Sequence, residues 1–264
     1  MDIYKRKFKF DLELENIFGY LRTIQYFIFE HYKFNVVKKN KDLIERKKAD
    51  VCYICGLGPS LNDIDLMKIQ GDTIVVNRFY KVGEMYPDFV PTYYLMYDAA
   101  FGEERHRDEL TQALNTYSSK GTLFLFNSQL AKLNLSQEGL YYLSAFKGRF
   151  KGQNYRIDKV TPAFANVIGT AIATAMGMGY KKIVLLGCDF NSFATLMTSH
   201  AYDENSRRKR IEEWYELYRY SLVAYGHTVL SKYAQKHNID IVNSTKGSLI
   251  DAYPFKIEES LYRK

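Results

Sequence analysis

The stretch "VCYICGLGPSLNDIDL" (residues 51–66) combines an apolar run, a turn with two glycines and a proline, and a helix start. Continuous apolar runs of this length are typical of strands that are buried on both faces of a parallel sheet. Pro59 suits the first turn of a helix, and Ser60 followed by Asp63 resembles a capping box. The stretch therefore predicts a strand, a tight turn and a helix of an α/β domain.

The turn itself departs from the two best-known phosphate-binding fingerprints. Leu61 stands where G-x-G-x-x-G requires its last glycine, and no G-K-[ST] follows. Gly56 and Gly58 would still let a ligand approach the backbone closely, and the N–H groups of the next helix would suit a phosphate or a carboxylate. Spacing alone leaves two interpretations open, a phosphate-binding turn and a purely structural one.

The same alternation of strand, turn and helix continues along the chain. It predicts an α/β fold with a doubly wound, mostly parallel, Rossmann-like sheet. Ligands of such sheets bind beyond the carboxyl ends of the strands. After 50–55, further strands are predicted at 73–77, 92–97, 122–126, 182–187 and 239–243, and helices at 60–69, 104–118, 162–178 and 206–236. The strand ends that could hold a ligand are Gly56–Ser60, Asn77–Tyr80, Asp98 and Gly187–Asn191.

Residues 1–49 differ in composition from the rest of the chain. Apolar residues recur at helical spacing over 11–34 and predict a helix, whereas the charged stretch 37–49 predicts a linker. We therefore expect an N-terminal helical extension (1–49) and an α/β domain (50–264). The helix could dock on a membrane surface or a partner, or it could pack on the core or in an oligomer interface.

Composition and charge narrow the functional class. The 264 residues carry a formal net charge of +7, much of it in short basic runs that attract phosphate groups. No zinc-finger spacing or RNA-binding aromatic motif accompanies these runs, so we do not expect a nucleic-acid partner. The apolar stretch 26–29 is far shorter than a membrane span, and the charged start does not resemble a signal peptide. We expect a cytoplasmic protein that could lie peripherally on the inner membrane.

The three cysteines form neither a disulfide framework nor a metal site in this interpretation. Their number is odd, and Cys52 and Cys55 lie three residues apart in a predicted strand, where they face opposite sides of the sheet. We expect them, together with Cys188, to be small core residues in a reducing compartment.

A second glycine-rich stretch is "TPAFANVIGTAIATAMGMGYKKIVLLGCDFNSF" (residues 161–193). Thr161 and Pro162 suit a helix cap and a first turn, and the small residues that follow would allow close approach to the sheet or to a ligand. Asp189, at the end of the next strand, could accept hydrogen bonds from a sugar, a base or backbone donors. The alternative is that it caps a turn.

Histidines supply the candidate general bases. His200 lies in the loop after Asp189, and His227 follows Gly226 near the predicted cleft, so either could accept a proton near neutral pH. His106 lies on a helical pattern with polar neighbours, and we expect it at the surface.

Several of these segments, in this order, resemble the bacterial lipo-oligosaccharide sialyltransferases. The segments are "GLGPSL" followed by "VVNRFY", and later "AMGMGYKKIVLLGCDF". "NVIGTAIATA" and "IVNSTKG" resemble more closely a wider related family, which includes motility accessory factors and hydroxymethylpterin diphosphokinases. The resemblance covers roughly residues 50–253 and implies a GT-A-like nucleotide-binding catalytic domain.

The resemblance also implies roles for individual residues. Gly58 and Ser60 would border the nucleotide phosphates, Asn77 would bind ribose or sugar, and Asp189 would bind the nucleoside. Leu57 and Asp98 stand where the sialyltransferases have asparagines. The donor-binding residues predicted in this way are Gly56, Gly58, Pro59, Ser60, Asn77, Asp98, Asn166, Gly187, Asp189 and Phe190. The catalytic residues predicted are His227 as the base, Tyr202 on the leaving phosphate, and His200.

The resemblance implies a glycosyltransferase that moves a sugar from a nucleotide donor, with a CMP-linked nonulosonic or sialic acid favoured, to a bacterial surface glycan. The reaction would be a metal-independent direct displacement, and no cofactor is expected. The partners would be the donor and a free or lipid-linked glycan, with a homo-oligomer as a further expectation. One alternative is a diphosphokinase of a pterin-like alcohol, in which Asp98 and Asp189 would bind Mg²⁺ with ATP. Another is a non-catalytic assembly factor.

Overall fold

A computed structural model describes residues 2–135, 138–146, 154–162, 164–194, 200–202 and 212–263. Strands and helices alternate along these residues, as the sequence predicts. The strands are β1 (Val51–Cys55), β2 (Asp72–Val76), β3 (Tyr93–Met96), β4 (Leu123–Asn127), β5 (Leu140–Leu143), β6 (Ala145–Phe146), β7 (Thr161–Pro162), β8 (Lys182–Leu186) and β9 (Asp240–Asn243). The α-helices are α1 (Ile3–Phe29), α2 (Tyr32–Asn35), α3 (Asp42–Glu45), α4 (Phe79–Gly83), α5 (Arg107–Tyr117), α6 (Val167–Gly177) and α7 (Glu213–Lys236).

The main sheet is parallel throughout and has the order β5-β4-β3-β2-β1-β8-β9. The chain builds outward from β1 to β5 on one side and then crosses back to β8 and β9 on the other. Strand order therefore reverses between β1 and β8, which is the switch point where ligands of such sheets bind. The predicted doubly wound, Rossmann-like fold is confirmed.

Each face of the sheet carries its own apolar core. Cys52 and Ile54 of β1 belong to the core with α6 and α7, whereas Tyr53 and Cys55 belong to the core with α4 and α5. The two cysteines thus face opposite sides of the sheet, as predicted, and all three cysteines are free and buried. Two covered faces explain why the strands read as continuous apolar runs.

Helix α6 begins at Val167 rather than at 162, because Thr161 and Pro162 form the short strand β7 instead of a cap. Asn166 caps the helix, and its side chain accepts a hydrogen bond from Gly169 N at 2.9 Å. Nearly all of α6 is buried, which fits its small residues. At Gly177 a Cβ would lie 2.1 Å from Tyr155 O, so this helix needs glycine for its close approach to the neighbouring loop.

Other predicted elements were wrong in type, bounds or number. The stretch predicted as a helix over 60–69 forms two 3₁₀ turns, Pro59–Asp63 and Leu66–Lys68, because Ile64 and Asp65 are extended between them and Asp65 caps the second turn. Strand β5 was not predicted. The helix predicted over 206–236 begins at Glu213 within the described residues, and 206–211 lie outside them.

The N-terminal segment packs on the sheet domain through its second half. Leu43 and Val37 are buried, and the Asn40 amide donates to Tyr142 O at 2.7 Å and to Ile157 O at 3.0 Å. Part of the stretch predicted as a linker is therefore anchored in the core. Helix α1 precedes this anchor and lies beside α7, with the rings of Phe8 and Tyr225 in edge contact at 5.7 Å.

Candidate active site

Polar side chains stand at the carboxyl ends of three neighbouring strands. Asn77 directly follows β2, Asp98 is the second residue after β3, and Asn127 ends β4. They line a cavity of about 730 Å³ between the sheet edge, α1 and the start of α7. This group of strand ends is called the asparagine edge below. Asn127 was not predicted, although the rule that indicated Asn77 and Asp98 applies equally to it.

Asn77 occupies the centre of the site in a strained conformation. Its φ is +44°, in the left-handed region that costs a residue with a side chain about 1 kcal/mol or more. Its side-chain oxygen accepts from Tyr97 N at 3.2 Å, and its carbonyl accepts from the Tyr94 hydroxyl at 2.7 Å. Asn77 lines the large cavity and both smaller cavities described next. The structure therefore places this predicted residue where three spaces meet.

The second cavity, of about 240 Å³, lies at the ends of β1 and β8. Gly56, Gly58 and Gly187 line it, together with Asn166 at the start of α6. The two turns touch so closely that a Cβ on Gly56 would lie 2.3 Å from Gly187 O. Gly187 has a φ of +62°, which favours glycine. This group of turns is called the glycine edge below.

Asp189 is held by the glycine edge itself. Its carboxylate accepts from the Ser60 hydroxyl at 2.7 Å and from Ser60 N at 3.3 Å. A Cβ on Gly58 would lie 1.8 Å from Asp189 Oδ2, so this glycine makes room for the carboxylate. Burial raises the pKa of Asp189, while the hydrogen bonds from Ser60 oppose that rise.

Only some of the predicted donor-binding residues of the two turns therefore line the cavity. Asp189 and Gly58 line the glycine-edge cavity, whereas Pro59 and Ser60 are not among its lining residues. Ser60 instead joins the turn after β1 to the turn after β8. The turn after β1 is a structural bridge that also forms a wall of the cavity. Neither the structural nor the phosphate-binding interpretation of the turn is excluded.

Phe190 forms the far wall of the same cavity. It also has a positive φ, +57°, and its ring lies 4.8 Å from that of Tyr220 and 6.0 Å from that of His227. His227 lies behind this ring and is 1% exposed. Phe190 therefore stands between the predicted base and the cavity.

His227 has one hydrogen-bond partner among the described residues. Its Nδ1 lies 3.0 Å from the Tyr253 hydroxyl, while its buried Nε2 has no partner there. Burial lowers the pKa of His227 to about 4, so the ring is neutral at physiological pH. His227 does not line any of the three cavities. The Gly-His pair in the sequence does not indicate which face of α7 packs against the sheet.

The third cavity, of about 120 Å³, contains the other two predicted catalytic residues. His200 and Tyr202 line it and stack on each other, with ring centroids 5.0 Å apart and an interplanar angle of 14°. The ammonium of Lys81 lies 5.0 Å from the centre of the Tyr202 ring. His200 also lines the glycine-edge cavity. The structure thus brings His200, Tyr202 and Asn77 together.

A charged cluster beside the third cavity was missed. His106, expected at the surface, lines this cavity and is held by Glu109, whose Oε1 lies 2.8 Å from His106 Nδ1. Glu109 also accepts from Arg78 Nε at 2.6 Å and from the Tyr80 hydroxyl at 3.2 Å. Burial alone would raise the pKa of Glu109, but the hydrogen bonds from Arg78 and His106 and the charge of Arg78 lower it to about 2.

The spacing of His106 and Glu109, three residues apart on a helical pattern, was the available sequence signal for this pair. A histidine oriented by a carboxylate is a common element of acid–base sites.

The two carboxylates of the diphosphokinase alternative line different cavities. Asp98 is exposed, caps the following turn by accepting from Ala100 N at 3.0 Å, and lines the large and the third cavity. Asp189 lines the glycine-edge cavity instead. Among the described residues, no group of three or more His, Cys, Asp or Glu side chains is arranged to hold a metal ion.

Solved structures with a similar fold are bacterial sialyltransferases. The monofunctional α-2,3-sialyltransferase Cst-I from Campylobacter jejuni matches with a TM-score of 0.50 and 14% sequence identity, over 83% of this chain and 83% of that chain. The chain has the sialyltransferase fold. The resemblance noted in the sequence is thereby confirmed at the level of the fold, including its GT-A-like character.

CstII from Campylobacter jejuni with the substrate analogue CMP-3FNeuAc has a TM-score of 0.49 and 15% identity, covering 81% of this chain and 88% of that chain. CST-II with a trisaccharide acceptor and CMP has a TM-score of 0.48 and 18% identity, with the same coverage of 81% and 88%. No protein-family model matches the sequence, and no curated protein matches it either.

No helix within the described residues combines the length and the apolar character that a membrane crossing requires.

Proposed function

We propose that the protein is a glycosyltransferase that moves a nonulosonic or sialic acid from a CMP donor to a glycan. The observation that carries the proposal is the meeting of three cavities at Asn77, at the carboxyl edge of a sheet with the sialyltransferase fold. A transfer between two substrates needs two adjoining binding spaces with a reacting point between them. Asn77 and Asn166, which both line the glycine-edge and the large cavity, mark that point.

The two larger cavities suit different halves of the reaction. We assign the nucleotide to the glycine-edge cavity, because the N-terminus of α6 lines it and favours an anion there. We assign the donor sugar and the acceptor to the large cavity. Its walls carry tyrosine rings and amides, which suit the faces and hydroxyls of sugars, as in Tyr26, Tyr97, Tyr215, Asn127 and Gln129.

The chemistry is a direct displacement in which a base removes the proton of the acceptor hydroxyl while the nucleotide departs. We assign the base to His200, because it faces two of the cavities, whereas His227 is screened by Phe190. Tyr202, with Lys81 beside its ring, would stabilise the charge that develops on the leaving phosphate. The carboxylate-held His106 lines the same small cavity as His200 and is the second candidate for proton transfer.

The test of this function is release of the nucleotide from sugar donors. The protein would be incubated with a glycan acceptor and CMP-, UDP- or GDP-sugars, and separately with ATP plus a pterin alcohol, each with Mg²⁺ or with EDTA. We expect CMP release from a CMP-linked nonulosonic acid that persists in EDTA. Release of UDP or GDP instead would support a glycosyltransferase but exclude a CMP donor. Turnover of ATP alone would favour the diphosphokinase, and no turnover would favour the assembly factor.

The base is tested on the same assay with three single variants. We expect His200→Asn to lower CMP release about 100-fold or more, within the range for loss of a general base. His106→Asn should have a smaller effect, and its pH–rate profile should shift if the pair assists proton transfer. A loss confined to His227→Asn in a folded protein would return the role of base to His227.

A further inference from the structure

Helix α1 has a covered side and an open side. Its inner side is covered by the chain itself, and Leu12, Asn16 and Gly19 are buried there. Its outer side is open and carries large apolar side chains along its whole length. Large exposed apolar patches mark interaction sites, so the outer side of α1 is a candidate surface for a partner.

Seven of the exposed large apolar side chains of α1 follow one regular spacing. They recur at alternating steps of three and four residues, with Lys7 at the one position that is not apolar. Their exposed fractions range from 39% to 73%. The outer stripe, as we call it, consists of Ile3, Phe10, Leu14, Ile17, Leu21, Ile24 and Ile28. At 1.5 Å per residue it extends for about 38 Å, over almost four heptads.

Alternating steps of three and four are the a and d positions of a heptad repeat, which pack against another helix. The repeat places Ile3, Phe10, Ile17 and Ile24 at d. Lys7 falls at an a position, where a single polar residue is known to fix register and oligomer state. The flanking positions also carry charge, with Arg6 at g and Asp11 at e, a spacing that pairs opposite charges between parallel helices.

We propose that the outer stripe of α1 pairs with the same stripe of a second copy of this chain. A lipid surface requires a broad apolar face with basic residues opposite, and the side of α1 opposite the stripe is instead buried against the body. A second copy supplies a complementary heptad stripe by symmetry. The inference does not depend on the proposed activity, although Glu15 and Tyr26 on other faces of α1 line the large cavity.

Light scattering after size-exclusion chromatography tests the pairing. We expect the wild type to contain at least two chains and the double variant Ile17→Glu/Leu21→Glu to be monomeric, with an unchanged far-UV circular dichroism spectrum. Met67→Glu is the matched control, because Met67 is 60% exposed on the sheet domain. It should remain oligomeric. A monomeric wild type at tens of micromolar would overturn the proposal, as would an oligomer that persists in the folded double variant.

A cysteine cross-link provides a second readout that does not depend on disrupting the helix. The three native cysteines are buried, so Ile17→Cys would introduce the reactive thiol. Mild oxidation should yield a covalent dimer, whereas Met67→Cys should not yield one. Absence of the covalent dimer, together with flotation of monomeric protein on vesicles containing anionic lipid, would overturn the proposal and assign the stripe to a membrane.

Discussion

The fold uses polar side chains at both the glycine edge and the asparagine edge, but the two edges differ in the space that they leave open. At the glycine edge, the Ser60 hydroxyl and the Asp189 carboxylate bind each other, and the backbones of Gly56 and Gly187 touch. At the asparagine edge, Asn77, Asp98 and Asn127 surround an open cavity of about 730 Å³. The glycine turn, which is the most recognisable motif of the sequence, is therefore first a scaffold, while the less conspicuous Asn77, Asp98 and Asn127 face the larger cavity.

The largest expected effect is a loss of stability on substitution at the glycine edge. Gly56→Ala should lower the free energy of unfolding by about 3 kcal/mol or more, because its Cβ meets the backbone oxygen of Gly187 and neither turn can yield. Gly102→Ala is the control, because its Cβ meets only the end of the Leu130 side chain, at 3.1 Å. It should change stability by less than about 1 kcal/mol. Urea denaturation measures both, and equal effects would remove the distinction between scaffold and cavity.

The next effect concerns turnover at the asparagine edge. Asn77→Gly keeps the positive φ but removes the amide, so we expect donor turnover to fall about 100-fold, or about 2.7 kcal/mol, while the protein remains folded. Asn134→Gly is the matched control, because Asn134 has a φ of +48° and does not line the three cavities. It should leave kcat/KM unchanged. Equal turnover of the two variants would show that Asn77 serves the backbone alone.

A third prediction concerns the histidine behind the glycine edge. The folded-state pKa of His227, about 4, lies below its unfolded value of 6.5, so the neutral form stabilises the fold above pH 6.5 and this stability is lost as pH falls. Between pH 7 and pH 5 the wild type should lose about 2 kcal/mol from this group. Urea denaturation of His227→Phe should show a shallower pH dependence.

The exposed His237, at the end of α7, provides the control for that measurement. His237→Gln should keep the wild-type pH dependence. A His227→Phe variant with the wild-type slope between pH 7 and pH 5 would show that His227 is accessible to protons in the folded protein, and this would revive its assignment as the base.

The smallest effect is expected at Asp98. Asp98→Asn should change kcat/KM by no more than about threefold, because asparagine caps a helical turn as well as aspartate and the side chain is exposed. Donor turnover in Mg²⁺ and in EDTA measures it. A loss of 100-fold or more, present only with Mg²⁺, would indicate a metal-binding carboxylate and favour the diphosphokinase.

Much of the fold could be predicted because buried parallel strands are continuous apolar runs. These apolar runs predicted five of the strands after β1 to within one or two residues of their observed bounds. Strand β5 was missed because its four residues, Leu140–Leu143, stand apart from any helix pattern. The two 3₁₀ turns were predicted as one helix because an acidic residue such as Asp65 suits the first turn of a helix. In the structure Asp65 instead caps a turn of its own.

The site was less predictable, because it depends on contacts between distant parts of the chain. The strand-end rule found Asn77 and Asp98 because parallel strands deliver their ends to one edge. It could not show that Ser60 binds Asp189, 129 residues away. Nor could it show that Phe190 covers His227, since that depends on the rotation of α7 about its own axis.

A crystal structure of the protein with CMP would show whether the carboxyl edge of the sheet binds a nucleotide donor. We expect electron density for the nucleotide in the glycine-edge cavity, with the phosphate near the start of α6 and within reach of Asn77. Nucleotide bound elsewhere on the protein, or an empty glycine-edge cavity at saturating CMP, would contradict this expectation.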